Sequence, residues 1–310
     1  MTLAASVQLS TGTGTPGNIT LSGTVNPAAA STQGLTLLAG SGNITVVGPV
    51  GGGLRLGALT VSSGVTVAFM NAVTAVSFTQ SAGSVSTTFN GAQDYSGAFA
   101  FTGSELAVNN ALASGGTTTI TNAGLFTKSA SGAITSTGAF TQNGAGANSL
   151  GANITTTNTD LSFTTAVTLA ASVQLSTGTG TPGNITLSGT VNPAAASTQG
   201  LTLLAGSGNI TVVGPVGGGL RLGALTVSSG ATVAFTNVVT AVSFTQSTGS
   251  ISTTFTAAQD YSSAFAFTGS GLTLNNSLAV AGTTTITNAG LFITGAAGVV
   301  TSTGDRKSVV

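Results

Sequence analysis

Catalysis by side chains starts from groups that attack, ligate or exchange protons near neutral pH, and this chain of 310 residues has few of them. It holds five Lys plus Arg, five Asp plus Glu, and no His or Cys. Without His or Cys, Ser–His–Asp and Cys–His nucleophile systems cannot be assembled, and zinc loses its preferred ligands. The acids are Asp94, Glu105, Asp160, Asp260 and Asp305. Two-carboxylate glycoside chemistry needs its pair within about 5–10 Å. Asp94 and Asp260 occupy equivalent places one long repeat apart, and Glu105 lies half a turn of structure beyond Asp94, so these acids are expected apart. Nothing clusters as a Ca²⁺ site would require. The expectation is a protein that is not an enzyme, with no catalytic, cofactor-binding or metal residues and no cofactor.

Weaker motifs read as structure. Gly12 to Gly17, and again Gly178 to Gly183, match GxGxxG. The pyrophosphate needs a helix N-terminus after that loop. The next residues, Asn18-Ile19-Thr20-Leu21, are strand language instead, so a turn is expected. Asn18-Ile19-Thr20 and Asn43-Ile44-Thr45 match the glycosylation sequon, a frequent coincidence in a chain rich in Asn and Thr. Asp94-Tyr95-Ser96, repeated as Asp260-Tyr261-Ser262, is expected to be an Asx-type turn closing a coil.

Composition narrows the partners. Charged residues are 3% of the chain, Gly numbers 46, hydrophobic residues are 41% and the formal net charge is zero. A surface that tracks phosphates needs clustered Lys and Arg, so no nucleic acid is expected. The apolar stretch from Ile44 to Val61 is broken by Pro49, Gly51-Gly52-Gly53 and Arg55, which argues against a spanning helix. A membrane β-barrel would show aromatic girdles, whereas aromatics are 5% here and Trp is absent. Disorder is disfavoured by the many β-branched and aliphatic residues.

The dominant signal is repetition. Thr2 to Gly64 returns unchanged as Thr168 to Gly230, a period of 166 residues, and later positions change conservatively. Most charges do not survive the copying: Glu105 faces Gly271 and Lys128 faces Thr294. Arg55/Arg221 and Asp94/Asp260 do survive. Residues 1–167 therefore read as a first long repeat and 168–304 as a second, truncated one. Met1 stands where the second copy has Val167, as a GTG codon read as a start would give. Homology stops after Gly304, and Asp305-Arg306-Lys307-Ser308-Val309-Val310 is what a common sequencing adapter encodes, so residues 305–310 are expected to be an artefact. The chain reads as an internal piece of a longer protein, without signal peptide or anchor in view.

Within a repeat, short period-2 runs alternate with Gly, Asn, Ser and Pro. Asn43-Ile44-Thr45-Val46, Val76-Ser77-Phe78, Val85-Ser86-Thr87 and Leu106-Ala107-Val108 are examples, and no helical period appears. A second spacing separates Phe69 from Phe89 and Phe78 from Phe99, and the units led by Gly17, Gly34 and Ala58 keep a similar step. A step of roughly 20 residues is one coil of a solenoid. The predicted fold is all-β, an elongated parallel β-helix (β-solenoid) of roughly 20 residues per coil, with about eight coils in the first repeat. Apolar residues and stacked Phe pairs should line the interior, with Thr and Ser outside. At about 4.8 Å per coil, Asp94 and Asp260 would lie about 38 Å apart.

Gly17-Asn18-Ile19-Thr20-Leu21, Leu35 to Val46 and Thr119-Ile120-Thr121-Asn122-Ala123-Gly124 resemble filamentous-haemagglutinin-like exoproteins and autotransporter-type β-helical adhesins. The resemblance extends to Gly304 and lies in the style of repeat; no site residue carries over. It implies a right-handed helix, export to the bacterial surface or beyond, and a structural shaft or stalk role. A host-surface, glycan or matrix partner would be engaged through regions outside this chain, and the membrane only through an anchor or translocator elsewhere. End-to-end self-association is also expected, because solenoid ends expose unpaired strands. The alternative reading is ligand binding by a flat Thr-rich face, as in ice-binding solenoids, with Thr117-Thr118-Thr119, Thr155-Thr156-Thr157 and Thr283-Thr284-Thr285 as its elements. A polysaccharide-acting β-helix and an outer-membrane β-barrel rank behind it.

Overall fold

The computed structural model describes residues 1–12, 17–81, 83–180, 183–247 and 250–309, and only the backbone of 306, 308 and 309. Every regular element among the described residues is a strand. The chain divides into two units, Met1–Ser149 and Leu150–Val310. Each is a parallel β-solenoid whose strands stack about 20 residues apart.

In the first unit the strands form three stacks. One runs through Val7–Ser10, Leu35–Leu38, Leu56–Ser63, Val73–Gln80, Phe99–Gly103, Thr118–Asn122 and Phe140–Gln142. The second holds Ile19–Leu21, Ile44–Val46, Thr66–Phe69, Ser86–Phe89, Glu105–Val108 and Phe126–Lys128. The third includes Gln93–Tyr95, Leu112–Ser114 and Ile134–Ser136. The strands form because period-2 residues put one file of side chains in the interior: Ile44 and Val46 are buried while Thr45 between them is half-buried.

The Phe spacing translates directly into packing. Phe69 stacks on Phe89 with ring centroids 5.0 Å apart, and Phe78 on Phe99 at 5.1 Å. Phe69 meets Phe78 edge-on at 6.1 Å, joining the two columns. The second unit repeats this with Phe235 on Phe255 and Phe244 on Phe265. Each ring is fully buried. Removing one would cost about 3–5 kcal/mol through lost transfer energy and the cavity left behind.

Several expectations need correction. Gly17 and Gly34 are not successive equivalents: Gly42 lies over Gly17, and Gly34 over Ala58. The coil from Val7 to Leu35 is longer than those that follow it in the first unit, because residues 28–34 form a loop between the named strands, with Ser31 at φ 62°. Val85 is exposed in the turn before its strand, and Thr87 occupies the interior instead. Val76 is only half-buried because the strand Val73–Gln80 rounds a corner there, so inward positions shift from Val73 and Ala75 to Phe78 and Gln80. The described strand pairings are parallel, which excludes the antiparallel ladder of an outer-membrane barrel. Arg306–Val309 lies parallel to Thr284–Asn288, in the place that Phe140–Gln142 takes on Thr118–Asn122. A backbone ladder accepts whichever side chains accompany it.

Candidate functional site

Within the first unit the two acids lie in different stacks. Asp94 sits within the strand Gln93–Tyr95 of the third stack, and Glu105 opens a strand of the second. Asp160 accepts the backbone N–H of Asn184 at 2.8 Å and its side-chain Nδ2 at 3.1 Å. Among the described residues no three His, Cys, Asp or Glu approach closely enough to hold a metal.

Asp94 and Tyr95 are strand and Ser96 begins the bend after it, its N–H donating to the carbonyl of Ala75 instead of closing an Asx turn, and Asp94 has a partner that sequence reading did not assign. Arg55 Nη2 donates to Asp94 Oδ2 at 2.6 Å, while Nη1 donates to the carbonyls of Ala75 (2.8 Å) and Asp94 (2.9 Å). Leu56 pairs with Ala75 and Ala75 with Tyr95, so one guanidinium ties three consecutive coils. Arg221 makes the same contacts to Ala241 and Asp260. The signal was present in the repeat, where this pair of charges persists while Glu105 and Lys128 are replaced. The bidentate reach of a guanidinium, which Lys lacks, makes such a three-coil tie possible.

The interior also holds polar groups that alternation did not foretell. Gln80 Nε2 donates to Ser84 Oγ, Ser84 and Thr87 share a hydroxyl bond, and Thr87 Oγ1 donates to Gln80 Oε1, a closed ring buried at one corner. Gln246, Ser250 and Thr253 repeat it. Tyr95 donates to Gln93 Oε1 at 2.8 Å, and burial, then the negative charge of Asp94, raises its hydroxyl well above the usual pKa. Tyr261 is raised likewise by burial and then Asp260. Lys128 is 1% exposed, and its ammonium donates to the carbonyls of Ser131 (2.9 Å), Ser129 (3.0 Å) and Val108 (3.3 Å). Burial lowers its pKa from 10.5 to about 8.

Outside, the side chains serve the same end. Asn18 Oδ1 accepts the N–H of Asn43, and Asn43 Oδ1 accepts the hydroxyl of Thr66, so both sequon Asn residues join a coil-to-coil ladder. The GxGxxG runs fall partly on residues 13–16 and 181–182, outside the described residues. A groove of about 440 Å³ runs along one corner past Ser84, Val85, Gly103, Asn122 and Gly144, with no charged residue in its lining. The Thr triplets do not form a face, because their middle members Thr118, Thr156 and Thr284 are buried. A Thr file arises instead from single positions: Thr36, Thr60, Thr79, Ala100, Thr119 and Thr141 lie in register on successive coils. Thr202, Thr226, Thr245, Ala266 and Thr285 form its counterpart.

No family model, curated protein or solved structure matches this chain. The fold is that of a β-helical repeat protein. Its Arg–Asp and Asn–Thr side chains bond from coil to coil, while the buried Gln, Ser, Thr and Tyr groups bond mostly within one coil.

Proposed function

We propose that this chain is the structural shaft of a secreted or surface-exposed bacterial adhesin-like repeat protein, without catalysis of its own. The observation that carries the reading is the Arg55–Asp94 tie and its twin: the charges retained in both repeats are used to fasten three coils together. The exposed polar ladder of Asn18, Asn43 and Thr66 supports it, since its hydrogen bonds run from coil to coil. In this role partners are met by modules carried elsewhere, and the solenoid displays them. The test is a glycan and host-cell binding screen of the 310-residue chain beside a fusion carrying a known carbohydrate-binding module. The shaft reading expects binding by the fusion alone. Saturable binding by the unfused chain, or release of sugar from a polysaccharide, would end it.

A second reading has one specific observation behind it, the register of Thr36, Thr60 and Thr79, interrupted by Ala100 and resumed at Thr119 and Thr141 on one strand surface. Hydroxyl and methyl groups repeated at the strand spacing of about 4.8 Å could order water as an ice-binding face does. Thermal hysteresis in dilute solution separates the readings. A flat-face binder shows it and loses it in Thr60→Lys, whereas a plain shaft shows none.

A further inference from the structure

Two Asn-Gly dipeptides occur in the chain, Asn90-Gly91 and Asn143-Gly144, and both belong to the first unit. Coil stacking forces the glycines. A Cβ on residue 91 would lie 2.2 Å from the carbonyl carbon of Asn71, and one on residue 144 would lie 2.1 Å from the carbonyl oxygen of Asn122. Asparagine is a thermolabile residue, and a glycine after it leaves the next backbone nitrogen unhindered beside the side-chain amide. The N–H groups of Gly91 and Gly144 both lack an acceptor among the described residues, so the two nitrogens are alike.

The amides differ. Asn90 is half-buried and held at both ends: its Oδ1 accepts Asn109 Nδ2 at 2.8 Å, and its Nδ2 donates to Met70 Sδ at 3.3 Å. Asn143 is exposed and held at one end only. Its Oδ1 accepts the hydroxyl of Thr121, on the preceding coil, at 2.6 Å, while Nδ2 has no partner among the described residues. An amide fixed at both ends cannot turn onto the following nitrogen without breaking a bond, whereas one fixed through Oδ1 can pivot about it. Thr121 and Gly144 also line the uncharged groove of about 440 Å³, which gives water a path to this turn.

We propose that Asn143 is a self-modifying site, which deamidates in the folded chain without an enzyme while Asn90 persists. The Gly144 nitrogen gives up its proton to water and bonds to Asn143 Cγ. Negative charge gathers on Oδ1, where the Thr121 hydroxyl is already placed to donate, as the donors of an oxyanion hole are. The Cγ–Nδ2 bond then breaks, and Nδ2 takes a proton and leaves as ammonia. One water opens the five-membered imide at either carbonyl, giving aspartate or isoaspartate. In sum, one amide and one water become one carboxylate and one ammonium ion. A chain of zero formal net charge thus acquires a negative charge with age, beside a groove whose lining has none.

The test is incubation of the 310-residue chain at mildly alkaline pH, followed by peptide mapping by mass and by an isoaspartate-specific methyl label. In the folded chain Asn143 is expected to react about tenfold faster than Asn90 or more. In guanidinium the two should react at similar rates, because only the fold separates them. Thr121→Val keeps the size of the side chain and removes the donor, and is expected to slow Asn143 about fivefold or more while leaving Asn90 unchanged. Strand-type circular dichroism checks that this variant folds, and the comparison of Asn143 with Asn90 stands without it. Asn90 reacting as fast as Asn143 in the folded chain overturns the proposal. So does a folded Thr121→Val chain with the wild-type rate at Asn143, or a wild type in which Asn143 stays intact while the guanidinium sample reacts.

Discussion

Replacing Lys128 by Met should make the first unit more stable at neutral pH and remove a pH dependence that the wild type shows. The ammonium is enclosed at 1% exposure, with three carbonyl oxygens as its partners. Those bonds do not offset the loss of hydration, since the pKa falls from 10.5 to about 8. At about 1.36 kcal/mol for each unit of pKa, enclosing the charged form costs about 3 kcal/mol relative to the unfolded chain. Below pH 8 both states carry the proton and the full cost is present. Between pH 8 and 10.5 the unfolded chain binds more protons than the folded one, so stability rises with pH by linkage. From pH 7.5 to 9.5 the gain is about 2 kcal/mol. With no Trp in the chain and one of its two Tyr residues in each unit, a Tyr261→Phe background lets Tyr95 report guanidinium unfolding of the unit that holds Lys128. Lys128→Met in that background should be flat over the same range and about 3 kcal/mol more stable at pH 7, as a buried ion replaced by an apolar residue of similar volume can be. A wild-type midpoint that falls from pH 7.5 to 9.5, or a Met variant less stable at pH 7, would refute the reasoning and show that the carbonyl cage outweighs desolvation.

Other consequences are simpler. Above pH 10 stability should fall, because Tyr95 and Tyr261 stay protonated when folded while the unfolded phenols ionise; an alkaline titration followed by circular dichroism checks this. Asp94→Asn should cost no more than about 1 kcal/mol, since its side chain is 53% exposed and water screens the ion pair. Arg55→Ala should cost more than Asp94→Asn, because it also frees two carbonyls; paired denaturant midpoints give the comparison. Gly51→Ala should lower the melting temperature sharply, because Gly51 has φ 69° and a Cβ there would lie 1.9 Å from the carbonyl oxygen of Thr74. Its expected cost is at least about 2–3 kcal/mol. Phe89→Ala should cost about 3–5 kcal/mol, seen in the same melts, through the cavity left between Phe69 and Phe78.

Much of the fold could be read in advance because a solenoid makes its periods additive. The step from Phe69 to Phe89 predicted a ring stacked on a ring, and so it is. What escaped was set by geometry that no single residue type announces. The strand Val73–Gln80 changes its inward parity at a corner, so Val76 and Phe78, alike in pattern, differ in burial. Lys128 occupies an inward position because carbonyls at a turn accept its ammonium, a cage that exists only once the coil closes. The Arg55–Asp94 tie spans 39 residues, beyond any local motif, and only its joint survival in the second repeat marked it.

The ladder reads backbone, and it accepts coils of unequal length by putting the surplus outside, as residues 28–34 show. Heredity can use that indifference. Tracts of identical protein sequence are encoded by closely matching DNA wherever codon usage agrees, and a crossover between Thr2–Gly64 and Thr168–Gly230 would add or remove one whole period without shifting any residue relative to its neighbours in the repeat. Each recombinant then has a stack in which every new contact already exists elsewhere in the chain. Populations could therefore vary the number of coils by recombination alone, with no compensating substitution at the joint.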